Sequence, residues 1–178
     1  MRIATLALLG AATLGLSACD QKGVKTGTPV VGGQRATAMV QNANGIDVGR
    51  ATATEVAGGL RVTLDAQTLP PGTHGVHIHT VGRCDGPDFT TAGGHWNPTG
   101  MKHGSMNPQG PHEGDLPNLI IGTDGRGTIG ITIPGATMAG LLDADGAAFV
   151  VHAGPDDLMT DPAGNSGGRI ACGVFQAG

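Results

Sequence analysis

The sequence predicts an all-β domain, a sandwich or barrel of eight short strands carrying two long functional loops. Three observations point there. Short runs rich in Val, Ile and Thr alternate with clusters of Gly, Asn, Asp and Pro. Glycine is abundant, 33 of 178 residues, as a chain that turns often requires. No segment repeats its apolar residues at the period of a long helix.

The strands are read in order as 35–42, 47–55, 59–66, 74–81, 117–122, 127–132, 147–153 and 169–175. Asn44-Gly45, Gly58-Gly59, Pro70-Pro71-Gly72 and Asp124-Gly125 separate them. Asn-Gly and Asp-Gly accept the positive φ that tight hairpins need. Two stretches, 83–116 and 154–168, show no strand pattern. Loops of that length inside a compact domain are usually functional. Chemistry is therefore expected on loops held by a rigid scaffold.

The chain opens with "MRIATLALLGAATLGLSAC". One Arg precedes an apolar run too short and wrongly flanked to span a bilayer, which reads as a signal peptide over residues 1–18. "LSAC" matches the bacterial lipobox, so Cys19 is expected to carry lipid and to begin the mature chain. An ordinary secretory leader is the alternative. Residues 19–34, small and polar, suit a flexible tether, and 35–178 is the domain. The expected location is periplasm-facing, lipid-anchored to the bacterial cell membrane.

From Cys19 onward nine Lys and Arg stand against fourteen Asp and Glu, with no basic cluster. That composition argues against nucleic acid as a partner. Three cysteines are odd for a secreted protein. With Cys19 lipidated, Cys84 and Cys172 remain, and an oxidising compartment would let them bond. Two free thiols are the alternative.

Six of the seven histidines and one aspartate form the informative pattern: His77, His79, His95, His103, His112, Asp115 and His152. One metal ion needs three or four ligands, so seven candidates suggest two adjacent ions. His77 and His79 are two apart on a strand and project to one face. His74 has the opposite parity and reads as structural. His95, His103, His112 and Asp115 are a complete tetrahedral inventory for zinc. His77, His79, His152 and one more imidazole suit Cu²⁺. If His95 bridges, seven residues complete both sites.

At this point "GTHGVHIHTVGRC", "GGHWNP", "KHG", "HEGDLPNL", "VVHAGPDDL" and "GGRIACGVF" resemble, in order, the motifs of Cu/Zn superoxide dismutase over roughly residues 35–178. The resemblance implies an eight-stranded Greek-key β-barrel. It implies copper on His77, His79, His95 and His152, and zinc on His95, His103, His112 and Asp115. It implies an intrasubunit Cys84–Cys172 disulfide, Arg169 guiding the superoxide anion, and Asp156 linking the outer nitrogens of His77 and His103. The implied reaction turns two superoxide anions and two protons into dioxygen and hydrogen peroxide. In it copper cycles between Cu²⁺ and Cu⁺, and His95 leaves copper to carry a proton. The oligomeric state, monomer or homodimer, stays open.

Some residues depart from the family. The 154–168 loop has neither Lys nor Glu, Tyr is absent, and Trp96 follows His95 where Phe is usual. Met101 and Met106 flank His103 and read as loop packing, with contact to copper during loading as the alternative. Other activities fit less well. A metal buffer would offer more soft Cys or Met ligands. A mononuclear zinc hydrolase would leave four ligands unexplained, and a cupin would place a Glu soon after the H-x-H.

Overall fold

The computed structural model describes residues 33–178; the signal peptide expected at 1–18 and nearly all of the tether expected at 19–34 lie outside them. The ten strands are β1 (Arg35–Asn42), β2 (Asp47–Val56), β3 (Gly59–Ala66), β4 (Gly72–His74), β5 (Val76–His79), β6 (Leu119–Ile121), β7 (Gly127–Pro134), β8 (Ala148–His152), β9 (Arg169–Val174) and β10 (Gln176–Ala177). A short helix α1 (Met138–Leu141) and a 3-10 turn at Thr90–Ala92 are the helical pieces among the described residues.

Eight strands form one curled antiparallel sheet in the order β5-β8-β9-β1-β2-β3-β7, with β10 added beside β1. The pairs β9–β1 and β3–β7 are not sequential and require the crossovers of a Greek key. The β4–β6 pair forms a second small sheet. β4 runs into β5, and β6 turns into β7 through Asp124-Gly125, where the Gly122 amide donates to the Arg126 carbonyl (2.9 Å). The small pair thereby lies between the two edge strands of the large sheet.

Alternation accounts for the core. Ala36, Ala38 and Val40 on β1, Ala51 and Ala53 on β2, and Leu60, Val62 and Leu64 on β3 face inward. They pack in one cluster with Val76 and Ile78 of β5, Phe149 and Val151 of β8, and Ala171 of β9. The small alanines of β1 and β2 leave room for the fully buried Phe149, Leu60 and Leu64.

The run expected at 74–81 divides in two. β4 pairs with β6 and β5 pairs with β8, so one stretch serves two sheets. Gly75 is the break. Its amide donates to the Gly154 carbonyl, and a Cβ there would stand 2.8 Å from Ser166 Cβ and 3.2 Å from Asp156 Cβ. That close approach seats the 154–168 loop against the strand.

Candidate metal centre

β5 alternates core residues Val76 and Ile78 with His77 and His79, so both imidazoles stand on the outer face of the sheet. The 83–116 loop is stitched along this strand: Trp96 N donates to Ile78 O, Gly114 N to Trp96 O and Ile78 N to Gly114 O. His79 thus opposes His95, and His77 opposes Asp115. On the other side His152 ends β8. A register shift between Val151 and His152 places it opposite Arg169. Such bulges re-aim side chains.

Each imidazole has one nitrogen committed and one turned inward. His77 Nε2 meets Asp156 Oδ2. His79 Nδ1 meets the Gly93 carbonyl at 2.9 Å, and His152 Nδ1 meets the Gly167 carbonyl at 3.1 Å. A carbonyl or carboxylate accepts, so those nitrogens carry the proton and the opposite ones keep a lone pair. His77 Nδ1, His79 Nε2, His95 Nε2 and His152 Nε2 are buried and have no hydrogen-bond partner. All four rings bring a ligand atom within 4.8 Å of one another. An unsatisfied buried polar atom costs about 1–3 kcal/mol, and four converging lone pairs repel as well. A copper ion removes both penalties, so the donor set fits the group.

A second set surrounds one oxygen. Asp115 Oδ1 lies 2.8 Å from His95 Nδ1, 3.0 Å from His103 Nδ1 and 3.2 Å from His112 Nδ1. Its other oxygen accepts from the amides of Gly104 (2.8 Å) and His112 (2.9 Å). His103 Nε2 donates to Asp156 Oδ1 (3.0 Å), which leaves its Nδ1 as a lone pair aimed at a carboxylate oxygen. For a neutral ring that contact is favourable only around a cation. Three nitrogens and one oxygen match zinc. His77 also lies within 4.8 Å of His95, His103 and Asp115. Its free nitrogen belongs to the first set, however, and His112 completes the second.

Asp156 joins the two sets, holding His77 through one oxygen and His103 through the other. Asn118 clamps it by accepting from the Asp156 amide (2.8 Å) and donating to its carbonyl (2.9 Å). Partners of this kind orient metal ligands. Gly104 carries the crossing of the two loops. Its φ is +97°, and a Cβ would meet the Leu158 carbonyl. His74 faces away from both sets: its ring bridges the His152 carbonyl (2.8 Å) and the Pro70 carbonyl (2.9 Å).

Arg169 donates through Nη1 to the Phe89 carbonyl and through Nη2 to the Gly93 carbonyl, both at 2.7 Å. It lines a pocket of about 330 Å3 with His79, His95 and His152. The Cys84–Cys172 disulfide ties the start of the 83–116 loop to β9, keeping Phe89 and Gly93 over Arg169. The alternative of two free thiols is thereby excluded. Met101 and Met106 are 40% and 62% exposed.

Sequence reasoning identified the seven candidate ligands but missed Asn118 and the carbonyls of Phe89, Gly93 and Gly167. A carbonyl carries no side-chain signal, and Asn118 acts only on a backbone.

Burial dominates the electrostatics. It lowers His77 to about 3, against the Asp156 hydrogen bond, and His152 to about 4, against the Gly167 carbonyl. Burial alone would raise Asp115, but hydrogen bonds from His95 and the Gly104 amide hold it well below the usual carboxylate range. In the metal-free protein the unfolded chain takes up protons first as pH falls through 6.5. Stability is therefore expected to hold above pH 6.5 and to fall from there toward pH 4. His79 and His95 are lowered by burial too, and the slope is roughly 1.4 kcal/mol per unit for each histidine held neutral in this way. Thermal midpoints of the metal-free protein from pH 8 to 4 check it, and a flat profile contradicts it.

Residues 48–175 match the family model for copper/zinc superoxide dismutase. The chain is 44% identical over 147 residues to Superoxide dismutase [Cu-Zn] 1 of Aquifex aeolicus, covering 78% of this chain and 86% of that one. Among solved structures it is similar to the Cu/Zn superoxide dismutase from Brucella abortus, with TM-score 0.66, 30% identity and coverage of 80% and 99%. It is also similar to a SOD-like protein from Bacillus subtilis, with TM-score 0.74, 39% identity and coverage of 79% and 97%. Sequence, sheet and ligand geometry agree, and the chain belongs to the copper/zinc superoxide dismutase family.

Proposed function

We propose that this protein disproportionates superoxide, with copper held by His77, His79, His95 and His152 and zinc by His95, His103, His112 and Asp115. The observation that carries the reading is the convergence of four partnerless nitrogens beside Arg169, next to three imidazoles gathered on Asp115 Oδ1. Copper, when bound, supplies the one-electron couple; zinc supplies a fixed charge without redox change. The balance is two superoxide anions and two protons to one dioxygen and one hydrogen peroxide.

The protein's own residues bind the anion and move the proton. Arg169, pinned by two carbonyls, keeps a guanidinium at a set place in the pocket, so the anion meets a preorganised charge. His95 faces both metal sets. Its Nδ1 is on the Asp115 side, while its buried Nε2 joins the partnerless nitrogens of the first set beside the pocket, where it can hold a proton and release it. Asp156 keeps His77 and His103 in fixed tautomers throughout.

Metal analysis and superoxide consumption on one sample test the reading. One copper and one zinc per chain, with activity lost on chelation, support it. Metal bound without turnover sinks it. In Arg169→Ser, kcat/KM is expected to fall about tenfold or more at unchanged metal content, the range of steered enzymes in general, this family included. An unchanged rate removes Arg169 from the mechanism.

The same proposal extends to placement. Cys19 carries lipid and residues 19–34 tether the domain at the periplasmic side of a bacterial membrane. The lipobox supports this. No helix among the described residues is long and apolar enough to cross a membrane. Cys19→Ser is expected to move the protein from the membrane fraction to the soluble one; retention on the membrane contradicts the anchor.

A further inference from the structure

The two halves of the sheet share one core. Val76, Ile78, Phe149 and Val151 pack from one side and Ala36, Ala51 and Val62 from the other. Residues alternating with these therefore point outward in opposite directions. On the β5-β8-β9 half, the outer face carries His77, His79 and the loops over them. On the β1-β2-β3-β7 half, among the described residues, Arg35, Met39, Arg50, Arg61 and Asp65 are exposed, and the 83–116 loop reaches only the β7 end, beside Thr132.

That second face is built in rows. Arg35, Thr54, Arg61 and Thr132 stand side by side across four strands, then Thr37, Thr52, Thr63 and Gly130. The next row brings Met39, Arg50, Asp65 and Thr128. The threonines are short and half-buried or exposed, so the surface is level, and Gly130 leaves the space into which the Arg61 guanidinium lies. Arg35, Arg50 and Arg61 are exposed. Among the described residues the ion pairs of arginine and lysine are Arg83–Asp85 and Lys102–Asp161, so these three are unpaired.

Charge sets this face apart. Residues 33–178 hold seven Lys and Arg against thirteen Asp and Glu. The face holds three arginines against Asp47 and Asp65 and is net positive; the rest of the domain is net acidic. The entry of the chain adds a second observation. Arg35 is the first residue of β1, so the tether joins the domain at the arginine row. The stretch from Cys19 to Arg35 reaches at most about 55 Å. Neighbouring strands are about 4.8 Å apart and residues rise about 3.4 Å. The three guanidinium stems therefore span roughly 10 by 13 Å, a flat charged plate.

We infer that the Arg35–Arg50–Arg61 face docks on the anionic headgroups of the bilayer and turns the metal pocket away from the membrane. This deepens the anchor reading: the lipid on Cys19 holds the protein at the surface, and the arginine face orients it. An anionic bilayer repels the acidic remainder of the domain and attracts this side alone. Arg169 and its pocket then open toward the medium.

The test couples the metal-loaded chain from Cys19 onward, through the Cys19 thiol, to a maleimide-bearing lipid. Cys84 and Cys172 are bonded to each other and do not compete. Vesicles of neutral phosphatidylcholine are compared with vesicles containing phosphatidylglycerol, and arginine-selective dicarbonyl modification is read by mass spectrometry. Near an anionic surface one net charge contributes about 1 kcal/mol, so modification of Arg35, Arg50 and Arg61 is expected to slow roughly fivefold on the anionic vesicles. Arg83, on the metal-loop side, keeps its rate. The protection disappears at about 1 M salt, where screening length falls to about 3 Å. Asp65→Asn, an exposed change outside the metal site, adds one net charge and is expected to deepen protection by a similar factor.

Equal rates on both vesicles, or no response to Asp65→Asn, overturn the proposal. Protection on neutral vesicles as well points to a second copy covering the face and overturns it too. Because the coupling is chemical, failure here leaves the lipidation reading standing, and failure of the Cys19→Ser fractionation leaves this one standing.

Discussion

Asp115→Ala is expected to empty the zinc set first. Structural zinc sites with four ligands bind with about 10–16 kcal/mol, so losing one ligand costs roughly a hundredfold or more in affinity. The loss here is compounded. Asp115 Oδ1 gathers His95, His103 and His112, while Oδ2 holds the amides of Gly104 and His112. Without it the loop loses the point that draws its three imidazoles together. Copper is expected to remain, because His77, His79 and His152 keep their own partners in Asp156, Gly93 and Gly167. Asp115→Asn separates ligand charge from loop support, since its amide oxygen still accepts a backbone N–H. Metal analysis after dialysis decides: zinc lost with copper kept is the expected pattern. Copper lost with zinc kept contradicts the assignment.

Breaking the disulfide by Cys172→Ser is expected to have the largest effect on stability. The bond closes a loop with a sequence separation of 88, worth about 4–5 kcal/mol by chain entropy. For a domain of this size that is roughly 10–20 °C in thermal midpoint. Activity is expected to suffer beyond stability. The bond holds the 83–116 loop on β9, and that loop supplies the Phe89 and Gly93 carbonyls that fix Arg169. Denaturant unfolding and kcat/KM at matched metal content check the two effects. A midpoint unchanged on reduction removes the disulfide from the account of stability.

Much of the fold was legible because strand alternation is local. The Ala-Thr-Ala and Ala-Thr-Ala-Thr runs of β1 and β2 show which residues face the core before any partner is known. The division of 74–81 at Gly75 was not legible. It depends on Ser166 and Asp156 arriving against that glycine from about 80–90 positions away. β10 is two residues long, too short for any periodic signal, and exists because β1 offers an edge. The 3-10 turn at Thr90–Ala92 is three residues long and lies inside a loop that shows neither helical nor strand periodicity.

The inventory of candidate ligands was determined by the sequence itself, because histidines and a carboxylate are written as side chains and their strand parity follows from spacing. Which nitrogen of each ring faces the metal was decided only by the tertiary structure. A neutral imidazole turns its lone pair away from the acceptor that takes its proton. Those acceptors are Asp156, 79 residues from His77, the Gly93 carbonyl, 14 from His79, and the Gly167 carbonyl, 15 from His152. Two of the three are backbone oxygens, which every residue has and no sequence distinguishes.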